Sequence, residues 1–240
     1  MKAILYIGHG TRSKKGADEA KAFIEKVKNQ IDVPIQEISF LELAEPSIEE
    51  SFNRCVEKGA TEITVVPLFL LAMGHIKRDI PQVLSHLQEK YPLIQVNVRD
   101  PFGIQGEILD AVAELIRRTA VTVEPEDSLL IIGVGSSDPV IHENFSEISS
   151  GLQERLGVKH VSACYLAVAE PRFNEGLESI TALTSGKVIV VPYLLFTGQL
   201  TAVISRAVQN RQKQGRQILH TGPLSGHKVI EDIVIDRATQ

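Results

Sequence analysis

The chain has 240 residues, 43% of them hydrophobic, which is enough for one large domain or two small ones with ordinary cores. Twenty-five Lys and Arg against thirty Asp and Glu leave a formal net charge of −5, which excludes the global basic field of a nucleic-acid binder. No apolar run approaches the roughly 18 residues of a bilayer span, so no membrane partner is expected. The N-terminus enters a strand pattern at once, without the basic, apolar and small-residue regions of a secretory signal, and a cytoplasmic location is expected. Cys55 and Cys164 form no CxxC pair. Reduced thiols are expected, and neither an iron–sulfur cluster nor a cysteine-type zinc site.

Strand and helix signals alternate along the first half. Ala3–Ile7 is a continuous apolar strand that ends in Gly8-His9-Gly10. Residues 14–30 carry Ala20, Phe23, Ile24 and Val27 at helical spacing, and Ile35–Leu41 is a second strand. Glu45-Pro46-Ser47 opens a helix with Pro46 in its first turn and acids at the positive end of the dipole. Ile63–Leu71 is a third strand. Residues 77–90 form a helix broken early by Pro81. Ile94–Val98 is a fourth strand, and Gln105–Arg118 a helix. Strands separated by helices of this length imply βαβ units and a parallel sheet, an α/β fold.

The pattern then restarts. Leu129-Leu-Ile-Ile-Gly-Val134-Gly-Ser matches Ile4-Leu-Tyr-Ile-Gly-His9-Gly-Thr at an offset of 125 residues. Tyr165-Leu-Ala-Val-Ala-Glu-Pro171 matches Phe40-Leu-Glu-Leu-Ala-Glu-Pro46, and Val188-Ile-Val-Val-Pro192 matches Ile63-Thr-Val-Val-Pro67, in the same register. Gly198 matches Gly74 one residue short of it. Two copies of one α/β unit are expected, residues 1–122 and 123–240, joined near Val121–Asp127.

A duplicated scaffold separates folding from chemistry. What both copies keep builds the fold, and a reactive residue kept by one copy is a candidate for function. His9 faces Val134, Glu42 faces Ala167, and His75 faces Gln199. Arg12, Lys77 and Arg78 face Ser137, Thr201 and Ala202. The three reactive residues each follow a strand's C-terminal end, and in a parallel sheet those ends share one edge. A histidine at a strand end is more often structural, and a carboxylate there could point to solvent; the asymmetry between copies favours function. Two imidazoles and a carboxylate suit Fe(II) or Co(II) with open coordination positions, and neutral imidazole also accepts protons near pH 7. The basic residues beside them suit an acidic substrate. Glu45 recurs as Glu170, which favours helix initiation. The Ile132-Gly-Val-Gly-Ser136 turn lacks a phosphate-binding spacing and is read as a tight βα turn. His86, His142 and His160 are read as surface residues, and His220 is left unassigned.

At these residues the chain resembles the class II tetrapyrrole chelatases of the sirohydrochlorin ferrochelatase/cobaltochelatase group, most closely its two-domain bacillus type. The motifs that carry the resemblance are Ile-Gly-His9-Gly-Thr-Arg, Leu-Ala-Glu45-Pro46 and Val-Val-Pro67-Leu-Phe-Leu-Leu-Ala-Met-Gly-His75-Ile-Lys-Arg-Asp-Ile-Pro81. The resemblance implies two tandem Rossmann-like lobes around a cleft, the second a degenerate wall. It implies an ATP-independent lyase that inserts a divalent metal into sirohydrochlorin, a tetrapyrrole with eight carboxylates, using no organic cofactor. His9 and His75 become the metal-binding and proton-accepting histidines, with Glu42 as third metal contact. Leu70, Leu71, Ala72, Met73 and Gly74 line the ring, Glu45 is a substrate contact, and Arg12, Lys77 and Arg78 meet the carboxylates. The chain has neither the His-rich tract nor the Cys-rich cluster of some cobaltochelatases, which leans towards Fe2+ and siroheme over Co2+ and cobalamin. The rival readings are a non-enzymatic metal or tetrapyrrole carrier and a histidine phosphatase. The phosphatase needs an arginine where Gly8 stands. Oligomeric state is not legible.

Overall fold

The computed structural model describes residues 1–72 and 77–240 in full and the backbone of His75 and Ile76; the side chains of those two, and Met73 and Gly74 altogether, lie outside the described residues. The chain divides into two compact units, residues 1–103 with 230–240, and residues 104–229.

The first unit holds four parallel strands, β1 (Lys2–Gly8), β2 (Ile35–Phe40), β3 (Glu62–Pro67) and β4 (Gln95–Val98), in the order β2-β1-β3-β4. Ala3 to Gly8 are all buried, as a central parallel strand covered on both faces requires. The chain moves from β1 to β2 on one side and then crosses to β3 on the other. That reversal beside β1 is a topological switch point, where open α/β sheets hold ligands at the strands' C-terminal ends. Gly8 pairs with Phe40, and Ile7 with Pro67, so β1, β2 and β3 end level with one another.

Helix α1 (Lys14–Lys28) starts at Ser13, whose hydroxyl accepts from the Gly16 N–H at 3.3 Å, and buries Ala20, Phe23, Ile24 and Val27. Helix α2 (Ile48–Glu57) starts at Ser47 with a reciprocal capping box to Glu50. Pro46 therefore precedes the cap rather than occupying the first turn, and its peptide bond with Glu45 is cis. The expected break at Pro81 is also absent. Helix α3 (His75–Lys90) runs through Pro81, giving up one backbone hydrogen bond, while Ile80, Leu84 and Leu87 pack into the core and hold its axis. β3 stops at Pro67, four residues before the expected end at Leu71. Leu68, Phe69 and Leu70 stay buried, and the carbonyls of Phe69 and Leu70 accept from Phe102 and Gly103 at 2.9 and 2.8 Å.

The second unit repeats this plan. Its strands β5 (Ser128–Gly133), β6 (His160–Tyr165), β7 (Val188–Pro192) and β8 (Ile218–His220) are parallel in the order β6-β5-β7-β8. Helices α5 (Val140–Leu156), α6 (Phe173–Leu183) and α7 (Gln199–Lys213) connect them. The carbonyls of Leu194 and Leu195 accept from Leu224 and Ser225, both at 2.9 Å, as those of Phe69 and Leu70 do in the first unit.

The compact units do not divide the chain where the sequence repeat does, near residue 122. Helix α4 (Gly106–Ala120) belongs to the second unit, and all but the first two residues of α8 (Lys228–Thr239) belong to the first. Packing explains α4: Leu109 lies against Gly151 of α5, and the Arg155 guanidinium donates to Asp110 at 2.6 Å. Arg117 in turn donates to the Arg155 carbonyl at 2.7 Å. Helix α8 meets the first unit where Gln30 reaches Glu231 at 3.5 Å. No helix among the described residues is long and apolar enough to cross a membrane.

Candidate metal and proton-transfer site

His9 leaves the end of β1, and Glu42 lies two residues beyond β2. Their side chains meet, with His9 Nε2 3.6 Å from Glu42 Oε1. That separation is long for a hydrogen bond, and the two side chains remain 51% and 55% exposed. An imidazole nitrogen and a carboxylate oxygen therefore face one small region while both stay open to a ligand.

Backbone geometry sets this meeting. The Leu41 N–H donates to the Gly8 carbonyl at 2.8 Å, and the Glu42 N–H to the His9 carbonyl at 3.0 Å, so the β1–β2 ladder continues past the strands. Gly10 has φ +94°, and a Cβ there would sit 1.7 Å from the Glu42 carbonyl oxygen. Leu43 follows with φ +61°. The second unit matches each feature. Leu166 and Ala167 donate to Gly133 and Val134 at 3.0 and 2.8 Å, Gly135 has φ +101° with the Ala167 oxygen 1.8 Å from a would-be Cβ, and Val168 has φ +62°. The loop is thus a scaffold that both units keep. Only the first dresses it with His9 and Glu42, where the second has Val134 and Ala167.

Phe69 also neighbours His9. It follows β3, is buried, and meets the imidazole edge to face with centroids 6.3 Å apart at 65°. Sequence reasoning missed this neighbour; its only signal was a place two residues past Pro67 on the same edge.

The remaining candidates are placed as follows. His75 is the first residue of α3 and its side chain lies outside the described residues, as do Met73 and Gly74. Leu70 is buried, while Leu71 and Ala72 are half-buried. Arg12, Lys77, Arg78 and Glu45 are exposed. Arg12 follows the Gly-His-Gly turn, and Lys77 and Arg78 belong to the first turn of α3. Among the described residues no three His, Cys, Asp or Glu side chains form a metal-holding group. Burial pushes the Cys55 and Cys164 thiols up to about 12, so neither offers a thiolate near neutral pH. His220, at the end of β8, has Nδ1 2.9 Å from the Thr221 carbonyl oxygen. His142 has Nδ1 3.4 Å from the Tyr165 hydroxyl. His227, which the sequence reading passed over, caps the approach to α8: Nε2 lies 2.9 Å from Glu114, and Nδ1 accepts from Val229 at 3.3 Å. These three serve local structure in the second unit.

The CbiX family model matches the chain twice, over residues 3–119 and 128–240. The chain belongs to the CbiX family. The double match coincides with the internal repeat. A sirohydrochlorin ferrochelatase from Priestia megaterium is 42% identical over 234 residues, 98% of this chain and 88% of that protein. A sirohydrochlorin cobaltochelatase from the same organism is 30% identical, over all of this chain and 80% of that protein. The structure of SirB from Bacillus subtilis with Fe3+ matches with a TM-score of 0.85 at 39% identity, covering 98% of this chain and 93% of that one.

Proposed function

We infer that this CbiX-family chain is a sirohydrochlorin ferrochelatase, inserting Fe2+ into sirohydrochlorin to form siroheme, with the metal as substrate and no organic cofactor. The observation that carries this is the open His9–Glu42 pair at the switch point of a chain 42% identical, across nearly its whole length, to a sirohydrochlorin ferrochelatase.

Insertion replaces two pyrrole N–H bonds by bonds to the metal and releases two protons. The site therefore needs donors that present M2+ and a base that removes protons at neutral pH. His9 supplies a neutral imidazole for both tasks. Glu42 lowers the positive charge of the assembly and supplies an oxygen donor and second proton acceptor. A set of two imidazoles and a carboxylate, His9, His75 and Glu42, holds Fe2+ loosely enough to release it to the ring. Arg12, Lys77 and Arg78 meet the ring's carboxylates by charge-assisted hydrogen bonds. Leu70 to Gly74 and Glu45 complete the substrate contacts. Binding energy from these remote contacts bends the macrocycle and exposes its nitrogen lone pairs.

The test is anaerobic absorbance spectroscopy of sirohydrochlorin with Fe2+ or Co2+, with and without protein. Accelerated insertion is expected, preferring Fe2+, and His9→Ala or Glu42→Gln lowers the rate at least about tenfold, or about 1.4 kcal/mol of barrier. Binding without acceleration would make the protein a carrier. Faster turnover with Co2+ would place it with the cobaltochelatases.

A further inference from the structure

The loop after β1 fixes the backbone of His9 but not its ring, which is half exposed and turns about two side-chain torsions. Glu42, at 3.6 Å, is too distant to pin the ring by a hydrogen bond. Phe69 meets the imidazole edge to face and is itself firmly held. It is 7% exposed and packs in one core cluster with Leu5, Ile7 and Val65. Its carbonyl accepts from the Phe102 N–H at 2.9 Å, and the N–H of Leu68 before it donates to the Ile7 carbonyl at 2.8 Å. The second unit separates the ring from the scaffold. Leu194 holds the matching place 125 residues on, packs against that unit's core, and accepts from Leu224 as Phe69 does from Phe102. A leucine therefore suffices to fill this position and to make its backbone contact. The aromatic ring stands where the Gly-X-Gly turn carries His9, and leucine where it carries Val134.

We propose that Phe69 is a positioning residue for metal insertion, its ring fixing the rotation of the His9 imidazole so that Nε2 stays on the Glu42 side. The proposal rests on the reading of His9 as metal donor and proton acceptor. Phe69 is too deeply buried to offer a tetrapyrrole much surface, so its effect passes through His9. The faces of an aromatic ring are negative and its edge positive, so edge-to-face packing prefers certain angles and restrains the imidazole as an aliphatic contact does not. An apolar neighbour also does this without engaging a ring nitrogen. A carbonyl or carboxylate that oriented the ring would occupy one. Nδ1 and Nε2 thus stay available for the metal and the proton.

The test uses Phe69→Leu, which copies the second unit, and Phe69→Met, which keeps an apolar side chain of similar bulk without the ring. Steady-state insertion is followed by absorbance where both variants are folded. In each, kcat should fall about tenfold, or about 1.4 kcal/mol of barrier, with the KM for sirohydrochlorin moving less than twofold. Added to His9→Ala, Phe69→Leu should lower the residual rate less than twofold, because the residue it acts through is gone. In the metal-free protein, the NMR signals of the His9 ring, assigned by their loss in His9→Ala, should move in both variants while those of His142, His220 and His227 stay in place. The proposal is overturned if either variant keeps the parental kcat, if Phe69→Leu costs as much in the His9→Ala background as in the parent, or if the His9 signals do not move. Full activity in His9→Ala would instead defeat the reading of the site itself, whatever Phe69 does.

Discussion

Gly10→Ala is the sharpest single perturbation of the His9–Glu42 geometry, because it keeps both side chains and moves the backbone that carries them. The new Cβ would lie 1.7 Å from the Glu42 carbonyl oxygen, where real Cβ contacts stay beyond 3.0 Å. Backbone atoms must therefore part by more than about 1 Å, and misplacement on that scale costs on the order of 100-fold in rate. An L-residue at φ +94° adds roughly 1–2 kcal/mol of strain to folding. Gly135→Ala is the matched control. Its Cβ would meet the Ala167 oxygen at 1.8 Å from φ +101°, so it carries the same steric and conformational cost where Val134 and Ala167 stand in place of His9 and Glu42. Thermal unfolding should show similar losses for the two variants. Anaerobic insertion assays, run where both are folded, should show the large rate loss in Gly10→Ala alone. Equal rate losses in the two variants, or parental rates in Gly10→Ala, would refute the argument that this backbone contact positions the site.

Val134→Ala combined with Gln199→Ala should leave the insertion rate within about twofold of the parent, since the second unit contributes scaffold at these positions; the same absorbance assay checks it. Val134→His, Ala167→Glu and Gln199→His together should add one bound Co2+ per chain in equilibrium dialysis, because the second loop already has the backbone of the first. Asp127→Asn should destabilise the protein by about 1–3 kcal/mol in urea, because Asp127 is buried and accepts from the backbone of Glu124 and Lys187 and from the Lys187 ammonium. Burial alone would raise the Asp127 carboxyl, but these hydrogen bonds hold it below the ordinary aspartate range. Its contribution is therefore complete above about pH 4 and lost as pH falls through the lowered value, so Asp127→Asn and parent should converge in stability towards acid pH.

The parallel α/β architecture and its duplication were legible because apolar strands and the Gly-X-Gly, Glu-Pro and Val-Val-Pro blocks recur in one register. The repeat beyond them was not. Phe102 and Leu224 donate from equivalent places to the carbonyls of Phe69 and Leu194, yet they are related by a shifted offset and different side chains. The exchange of α4 and α8 between units was hidden for another reason. Apolar periodicity says which face of a helix is buried, not which sheet buries it. Pro81 misled because helix propensity is a weak prior once Ile80, Leu84 and Leu87 find a core. The convergence of His9 and Glu42 followed from strand ends alone, but their 3.6 Å separation is set by backbone hydrogen bonds beyond the strands and by Gly10 against the Glu42 carbonyl, beside a left-handed Leu43. No pattern signals a left-handed leucine, since sequence rules look there for glycine or asparagine.

The two units together show how little of the site's construction depends on its chemistry. Each device that brings His9 and Glu42 together recurs around Val134 and Ala167: the two ladder hydrogen bonds beyond the strands, the glycine pressed on a carbonyl, and the left-handed residue that follows. The geometry is therefore imposed by the loop and not by attraction between imidazole and carboxylate. A half-exposed pair at 3.6 Å contributes little to stability in any case. On the proposed reading of the site, either group exchanges its partner for a metal or a proton during turnover without loosening the loop that holds it. That independence is what a site needs if it must bind a cation, surrender it to a ring and return unchanged.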